Sequence, residues 1–208
     1  MFGFRGQGTG LAIAAVLLGM AVPAKASDTL YASLGDTTRS PIGWVEFCAD
    51  NPGECNGGAT EPRDIVMTQT AWRDLQKVNR WVNETVKPMT DMDHWGVIEK
   101  WSIPTDGYGD CEDYVLLKRK MLIDAGWPRE ALLVTVVRDR KGEGHAILTV
   151  KTDHGEFVLD NLSDEIRPWD ATGYSYVKRQ SQEDPNVWLD LGGVRGVSAA
   201  TAGDADGG

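Results

Sequence analysis

The chain has 208 residues, 25% of them charged, and 31 acidic against 21 basic side chains give a formal net charge of −10. Such an acidic surface makes nucleic acid a poor partner, and no stretch reaches the ~20 apolar residues a membrane-spanning helix needs. The length suits one domain with a sizeable core.

In chain order, residues 1–26 have the form of a secretory signal. Arg5 is followed by an apolar stretch from Leu11 to Val22 and by Ala24-Lys25-Ala26 as a cleavage site. The stretch is short for a membrane span, and no cysteine follows the cleavage site to take a lipid anchor. The leader holds Arg5 and Lys25 and no acid, so the exported chain is near −12. The expected organisation is a signal over 1–26, one domain over 27–191 and a flexible tail over 192–208, with a periplasmic destination. The tail is mostly Gly, Ala, Ser and Asp and has too little apolar surface to order itself.

Residues 27–60 read as loop, on turn signals at Leu34-Gly35-Asp36, Asn51-Pro52-Gly53 and Asn56-Gly57-Gly58. Within them Cys48 and Cys55 either close a small disulfide in an oxidising compartment or stay two ordinary thiols. From Thr68, a candidate N-cap, Trp72, Leu75, Val78, Val82 and Val86 recur at helical spacing up to Pro88, predicting an amphipathic helix. Trp72 and Trp81 are assigned to packing. Residues 89–109 are expected to be a loop.

A second helix is predicted from Cys111 to Gly126 and Pro128, broadly apolar as a buried central helix is. Three strands follow at Leu132 to Val137, His145 to Lys151 and Glu156 to Asp160, the last two joined by a tight turn at Thr152-Asp153-His154-Gly155. Trp169, Tyr174, Tyr176 and Val177 suggest one or two more strands, with Trp188 and Leu189 against a sheet edge. Helix first and antiparallel sheet after is an α+β pattern.

Cys111, the odd thiol, is either a reactive group or a buried small hydrophobe. The start of a helix presents unpaired N–H groups and the positive end of the macrodipole, which favour a thiolate. His145 and Asp160 fall at the same open end of a hairpin, opposite each other or within a few ladder positions, where a carboxylate can steer an imidazole. Cys, then His, then Asp is an acyl-transfer constellation. In it Cys111 attacks, His145 moves the proton and Asp160 sets the tautomer. The Cys111 N–H is a candidate oxyanion donor, and Trp101 or the loop Gly107 to Gly109 is a candidate source of a second. Taken singly, each of the three has an ordinary structural alternative. His94 and His154 are rival bases, ranked below His145.

Gly109-Asp110-Cys111-Glu112-Asp113-Tyr114-Val115-Leu116-Leu117-Lys118, with Gly144-His145-Ala146-Ile147-Leu148 and Val158-Leu159-Asp160-Asn161-Leu162, resembles the bacterial transglutaminase-like cysteine peptidases over about Thr68 to Trp188. The resemblance implies a papain-like fold with Cys111, His145 and Asp160 as the triad. It further implies a periplasmic protease, in some members acting on a large surface adhesin under an inner-membrane cyclic-di-GMP receptor.

Calcium is implied as well. Asp110, Glu112 and Asp113 flank the thiol and would oppose its ionisation unless a hard cation held by oxygen donors neutralised them. The residues alone allow the simpler reading that acids in a first turn complement the helix dipole. Two other functions stay open: acyl transfer to amines with the same triad, and a non-catalytic calcium-responsive binding module.

Overall fold

The computed structural model describes residues 1, 3, 30–55 and 61–192. The remainder of the expected signal and the tail beyond Gly192 lie outside the described residues. Strand β1 (Thr37–Thr38) and helices α1 (Ile42–Asp50) and α2 (Pro52–Cys55) lead to the long helix α3 (Gln69–Thr85). Strand β2 (Lys87–Pro88), helix α4 (Asp91–Trp95), strand β3 (Tyr108–Gly109) and helix α5 (Cys111–Asp124) come next. Strands β4 (Leu132–Arg138), β5 (Gly144–Thr152), β6 (Gly155–Asp160), β7 (Ser163–Pro168), β8 (Ser175–Gln180) and β9 (Trp188–Asp190) complete the chain. One seven-stranded sheet runs β1-β9-β8-β4-β5-β6-β7, antiparallel at every pairing, and β2 pairs with β3 in parallel. The fold is α+β, as the order of elements predicts.

Local chemistry sets the elements that frame the site. The Thr68 hydroxyl accepts the Ala71 N–H at 3.1 Å and starts α3. That helix buries Leu75 and Val82 and sets Trp72 edge-on to Phe157, while Trp81 stays exposed. Helix α5 stops at Gly126, whose φ of +89° is the left-handed conformation glycine takes without strain. Its Val115, Leu116 and Leu122 pack with Ala146, Leu148 and Val150 of β5. The alternate residues of the sheet, among them Val137, Ile147 and Val158, pack with Trp169, Tyr174 and Tyr176. Strand alternation thus gives the sheet two apolar faces.

Three stretches differ from the sequence reading. Residues 30–55 hold α1 and α2 where loop was expected, because Trp44 and Phe47, three positions apart, put one face into the core despite the flanking turn residues; the turn expected at Asn56-Gly57-Gly58 lies outside the described residues. Cys48 and Cys55 are joined in a disulfide that ties these two helices. Residues 89–109 contain α4, started by the Thr90 hydroxyl on the Asp93 N–H. After Asp160 there are three strands; β7 is polar apart from buried Ile166 and shows little strand pattern in sequence.

Trp44, Trp101 and Trp188 meet edge to face with ring centroids 6.3–6.4 Å apart, joining α1, the loop before α5 and β9. Trp188 is fully buried. Trp188→Ala is expected to lower unfolding free energy by about 3–5 kcal/mol, read as a lower urea midpoint at unchanged slope. A loss under about 1 kcal/mol would show that this cluster is not part of the core.

Candidate active site

The thiol is placed by backbone pairing. Gly109 of β3 sits opposite Pro88 of β2, Asp110 stays extended at φ −109°, ψ −162°, and α5 begins at Cys111. Gly109 has to be small: a Cβ there would meet the Asp113 carboxylate at 2.5 Å. Cys111 is half-buried and is the free cysteine of the described residues. It packs against the core cluster that includes Ala146, the residue after His145. The nucleophile candidate therefore adjoins the core that α5 shares with β5.

The register of β5 against β6, Leu148 opposite Leu159, sets Asp160 two positions off the level of His145 on the same face of the ladder. Such diagonal neighbours are within side-chain reach. His145 Nε2 lies 2.9 Å from Asp160 Oδ1, with both side chains buried. Asp160 Oδ1 also accepts the Leu162 N–H at 3.0 Å, and Oδ2 accepts the Tyr174 hydroxyl at 2.6 Å. Burial works to raise the Asp160 carboxyl, but the His145, Tyr174 and Leu162 hydrogen bonds outweigh it and hold the group below the ordinary range. An ionised carboxylate only accepts, so Nε2 carries the proton and Nδ1 is the nitrogen left for proton exchange.

The carboxylates around the thiol form a denser cluster than the sequence suggests. Asp91, Asp110 and Asp113 bring one oxygen each within 4.8 Å of one another, and so do Asp91, Glu99 and Glu112. Asp91, shared by both groups, is buried at the start of α4 and takes the Lys100 backbone N–H. Burial first, then neighbouring acids, pushes Glu112 up to about 9 and Asp113 up to about 7. The Cys111 thiol donates to Glu112 Oε2 at 3.0 Å. Burial and that carboxylate push the thiol up, against the helix dipole invoked from sequence. Asp110 Oδ1 and Asp113 Oδ2 are buried without a hydrogen-bond partner among the described residues. Oxygens of this kind suit a hard divalent cation, about which two ligands on opposite sides at ~2.4 Å lie ~4.8 Å apart.

The structure brings Asp110, Glu112 and Asp113 into this cluster through two overlapping groups and adds Asp91 and Glu99, which the sequence reading missed. Neither was signalled in the sequence, where residues 89–109 read as loop. Tyr174, which donates to Asp160, was read as a strand aromatic. Of the rival bases, His94 is bonded to Asp106 at 2.7 Å and stacked on Trp95, and His154 is exposed beside Asp153. Trp101 already donates its indole N–H to Glu99 at 2.6 Å, so it is not free to serve an oxyanion.

None of the curated proteins matches the chain. Three solved structures of Legionella pneumophila LapG are similar to it at 26% identity. The calcium-bound form has a TM-score of 0.50 and covers 64% of this chain and 75% of that one. A second LapG structure and an EGTA-treated form both have a TM-score of 0.48, each covering 57% of this chain, with 68% and 66% of the other. Residues 34–195 match the family described as bacterial transglutaminase-like cysteine proteinase, BTLCP. That span holds the disulfide, the half-buried thiol, the imidazole–carboxylate pair and every strand of the sheet. The chain belongs to the bacterial transglutaminase-like cysteine proteinase family and is a cysteine peptidase with a protein substrate.

Proposed function

We propose that the chain is an exported, calcium-dependent cysteine endopeptidase whose triad is Cys111, His145 and Asp160. The observation that carries this reading is the buried 2.9 Å His145–Asp160 pair, with Cys111 packed against the core cluster that holds Ala146, the next residue. His145 Nδ1 takes the thiol proton as Sγ bonds to the scissile carbonyl carbon and the carbonyl electron pair moves onto oxygen. The Cys111 N–H donates to that oxyanion, a contribution of roughly 3 kcal/mol. On collapse the C–N bond breaks, the leaving amine takes the proton from His145, and an acyl thioester remains. Water then attacks with His145 as base, the C–S bond breaks, and the acid product and thiol are released. Asp160 holds the tautomer and stabilises the imidazolium throughout.

Asp91, Glu99, Asp110, Glu112 and Asp113 would hold the calcium. When bound it supplies positive charge to carboxylates otherwise crowded beside the thiol. The orphaned buried oxygens of Asp110 and Asp113 and the all-oxygen donor set support this, as does the calcium-bound form among the similar structures. The signal-like leader and the Cys48–Cys55 disulfide support export to the periplasm. No helix of the described residues is long and apolar enough to cross a membrane. The family resemblance supports a large surface adhesin as substrate and an inner-membrane cyclic-di-GMP receptor as regulator.

Asp160→Asn is expected to fold and to lose about 10³- to 10⁴-fold in kcat, as loss of a tautomer-setting carboxylate does. The assay is hydrolysis of the best peptide from a proteome-derived library. Near-normal turnover would give the role to another carboxylate, such as Asp164. Adding a fluorescent primary amine separates hydrolysis from transfer: incorporation in place of cleavage would make the chain an acyl transferase.

A further inference from the structure

The open end of the β5–β6 hairpin carries a second feature beside the His145–Asp160 pair. The β4–β5 loop, the start of β7 and Tyr174 enclose a groove of about 290 Å³. Two of its walls also support the pair. Tyr174 donates its hydroxyl to Asp160 at 2.6 Å and stands edge-on to the His145 ring, with centroids 5.7 Å apart. Leu162, whose N–H is held by Asp160 Oδ1, is 62% exposed and gives the groove an apolar wall.

The charge in this groove runs against that of the chain. Arg140, Lys141 and Arg167 line it beside one acid, Asp139, in a protein of net charge −10. Arg167 is paired with Glu165 at 2.6 Å. Asp139 Oδ1 accepts the backbone N–H groups of Lys141 and Glu143 at 2.8 and 2.9 Å. Arg140 directs Nε and Nη2 onto the Thr172 carbonyl at 3.1 and 2.9 Å, an uncharged acceptor that fixes the guanidinium without neutralising it. Among the described residues neither Arg140 nor Lys141 has an ion pair. The loop that carries them is itself tied down. The Asp139 N–H donates to the Glu143 carbonyl at 2.9 Å, the Gly142 N–H to the Asp139 carbonyl at 3.0 Å, and Arg138 Nη1 to the Gly142 carbonyl at 3.1 Å. Cations fixed before a ligand arrives leave little ordering cost for binding.

We propose that this groove is a specificity subsite that takes an Asp or Glu side chain of the protein substrate, with Arg140 and Lys141 receiving its carboxylate and Leu162 its aliphatic stem. The inference rests on the triad reading above and deepens it by naming a substrate class. Guanidinium and ammonium donors suit a carboxylate. The 5.7 Å from the His145 ring to the Tyr174 ring is spanned by about two residues of extended chain at ~3.3 Å each, which sets the acidic residue within about four positions of the scissile bond.

The test uses the calcium-loaded protein and a library of peptides amidated at the C-terminus, so that side chains supply every carboxylate. Cleavage products should be enriched in Asp and Glu at one position within about four of the scissile bond. For a matched pair of peptides with Glu or Gln at that position, kcat/KM should favour Glu about fivefold, the size an exposed ion pair supports, with the difference carried by KM. Arg140→Gln should bring this ratio to within about twofold of one, and Lys141→Glu should reverse it. No acidic enrichment with the unsubstituted protein would overturn the proposal, and so would a Glu-to-Gln ratio unchanged in both variants. An acid preference seen only with peptides that carry a free C-terminal carboxylate would overturn it as well, since the groove would then take a chain end. Capture of library peptides by Cys111→Ala needs no turnover and should retain the same acidic sequences; retention blind to charge would count against the subsite. Cleavage that survives Cys111→Ala would remove the triad reading itself, whereas Cys111-dependent cleavage without an acid preference removes the subsite alone.

Discussion

Cys111→Ala is expected to abolish peptide hydrolysis, with kcat falling by at least about 10⁴-fold, while the protein remains folded. The size follows from removing the atom that forms the acyl bond: catalytic groups acting as a unit lose nearly everything when the nucleophile goes, and only oxyanion binding and substrate positioning persist. Stability should change little, because the thiol is half-buried at a helix start and its removal leaves a small, partly open gap. The measurement is peptide turnover beside a melting curve, extended to the cell surface by comparing surface proteomes with and without the variant. Surviving cleavage at normal melting temperature would deny catalysis to this thiol. Unaltered processing of the native target would favour the non-catalytic binding module.

Chelation is the second large effect. EGTA is expected to lower both activity and melting temperature, and calcium to restore them. Without a cation, five carboxylates share two overlapping groups with oxygens within 4.8 Å of one another, and the Glu112 carboxylate takes the Cys111 thiol as its hydrogen-bond donor. Burial first, and the crowded acids with it, raise the thiol in that arrangement, so the resting nucleophile is the weaker thiol. A site filled at 100 times its Kd adds about 2.7 kcal/mol, which for a domain of this size is a shift of roughly 5–10 °C. Magnesium should rescue poorly, since it holds its waters and demands tighter octahedral geometry. An unchanged melting curve and unchanged turnover in EGTA would take calcium out of the scheme. Gly109→Ala offers a milder version: its Cβ displaces the Asp113 carboxylate and should weaken calcium binding, read by titration calorimetry, with the disulfide-tied core intact.

Much of the frame was legible because its signals are local. Thr68 and the three-and-four spacing after it mark α3, Gly126 marks the end of α5, and β-branched runs mark β4, β5 and β6. The candidates Cys111, His145 and Asp160 stand out by residue type, order and neighbouring turn chemistry. Helix α1 was not legible: its two buried aromatics are too few to outweigh the Pro and Gly around them until Trp101 and Trp188 arrive from elsewhere in the chain. Nor was β7, whose strand character comes from pairing with β6 rather than from its polar residues.

By itself, then, the sequence determined the α+β class, the helix and strand frame around the thiol and the family the chain resembles, since each depends on residues within a turn or two of one another. Only the tertiary structure decided the register that lays Asp160 diagonally to His145, the entry of Asp91 and Glu99 into the acidic cluster and the Tyr174 hydroxyl on Asp160. These depend on which distant segments share a low-dielectric space. Periodicity carries no record of that, because contacts between remote side chains follow from the packing of whole elements.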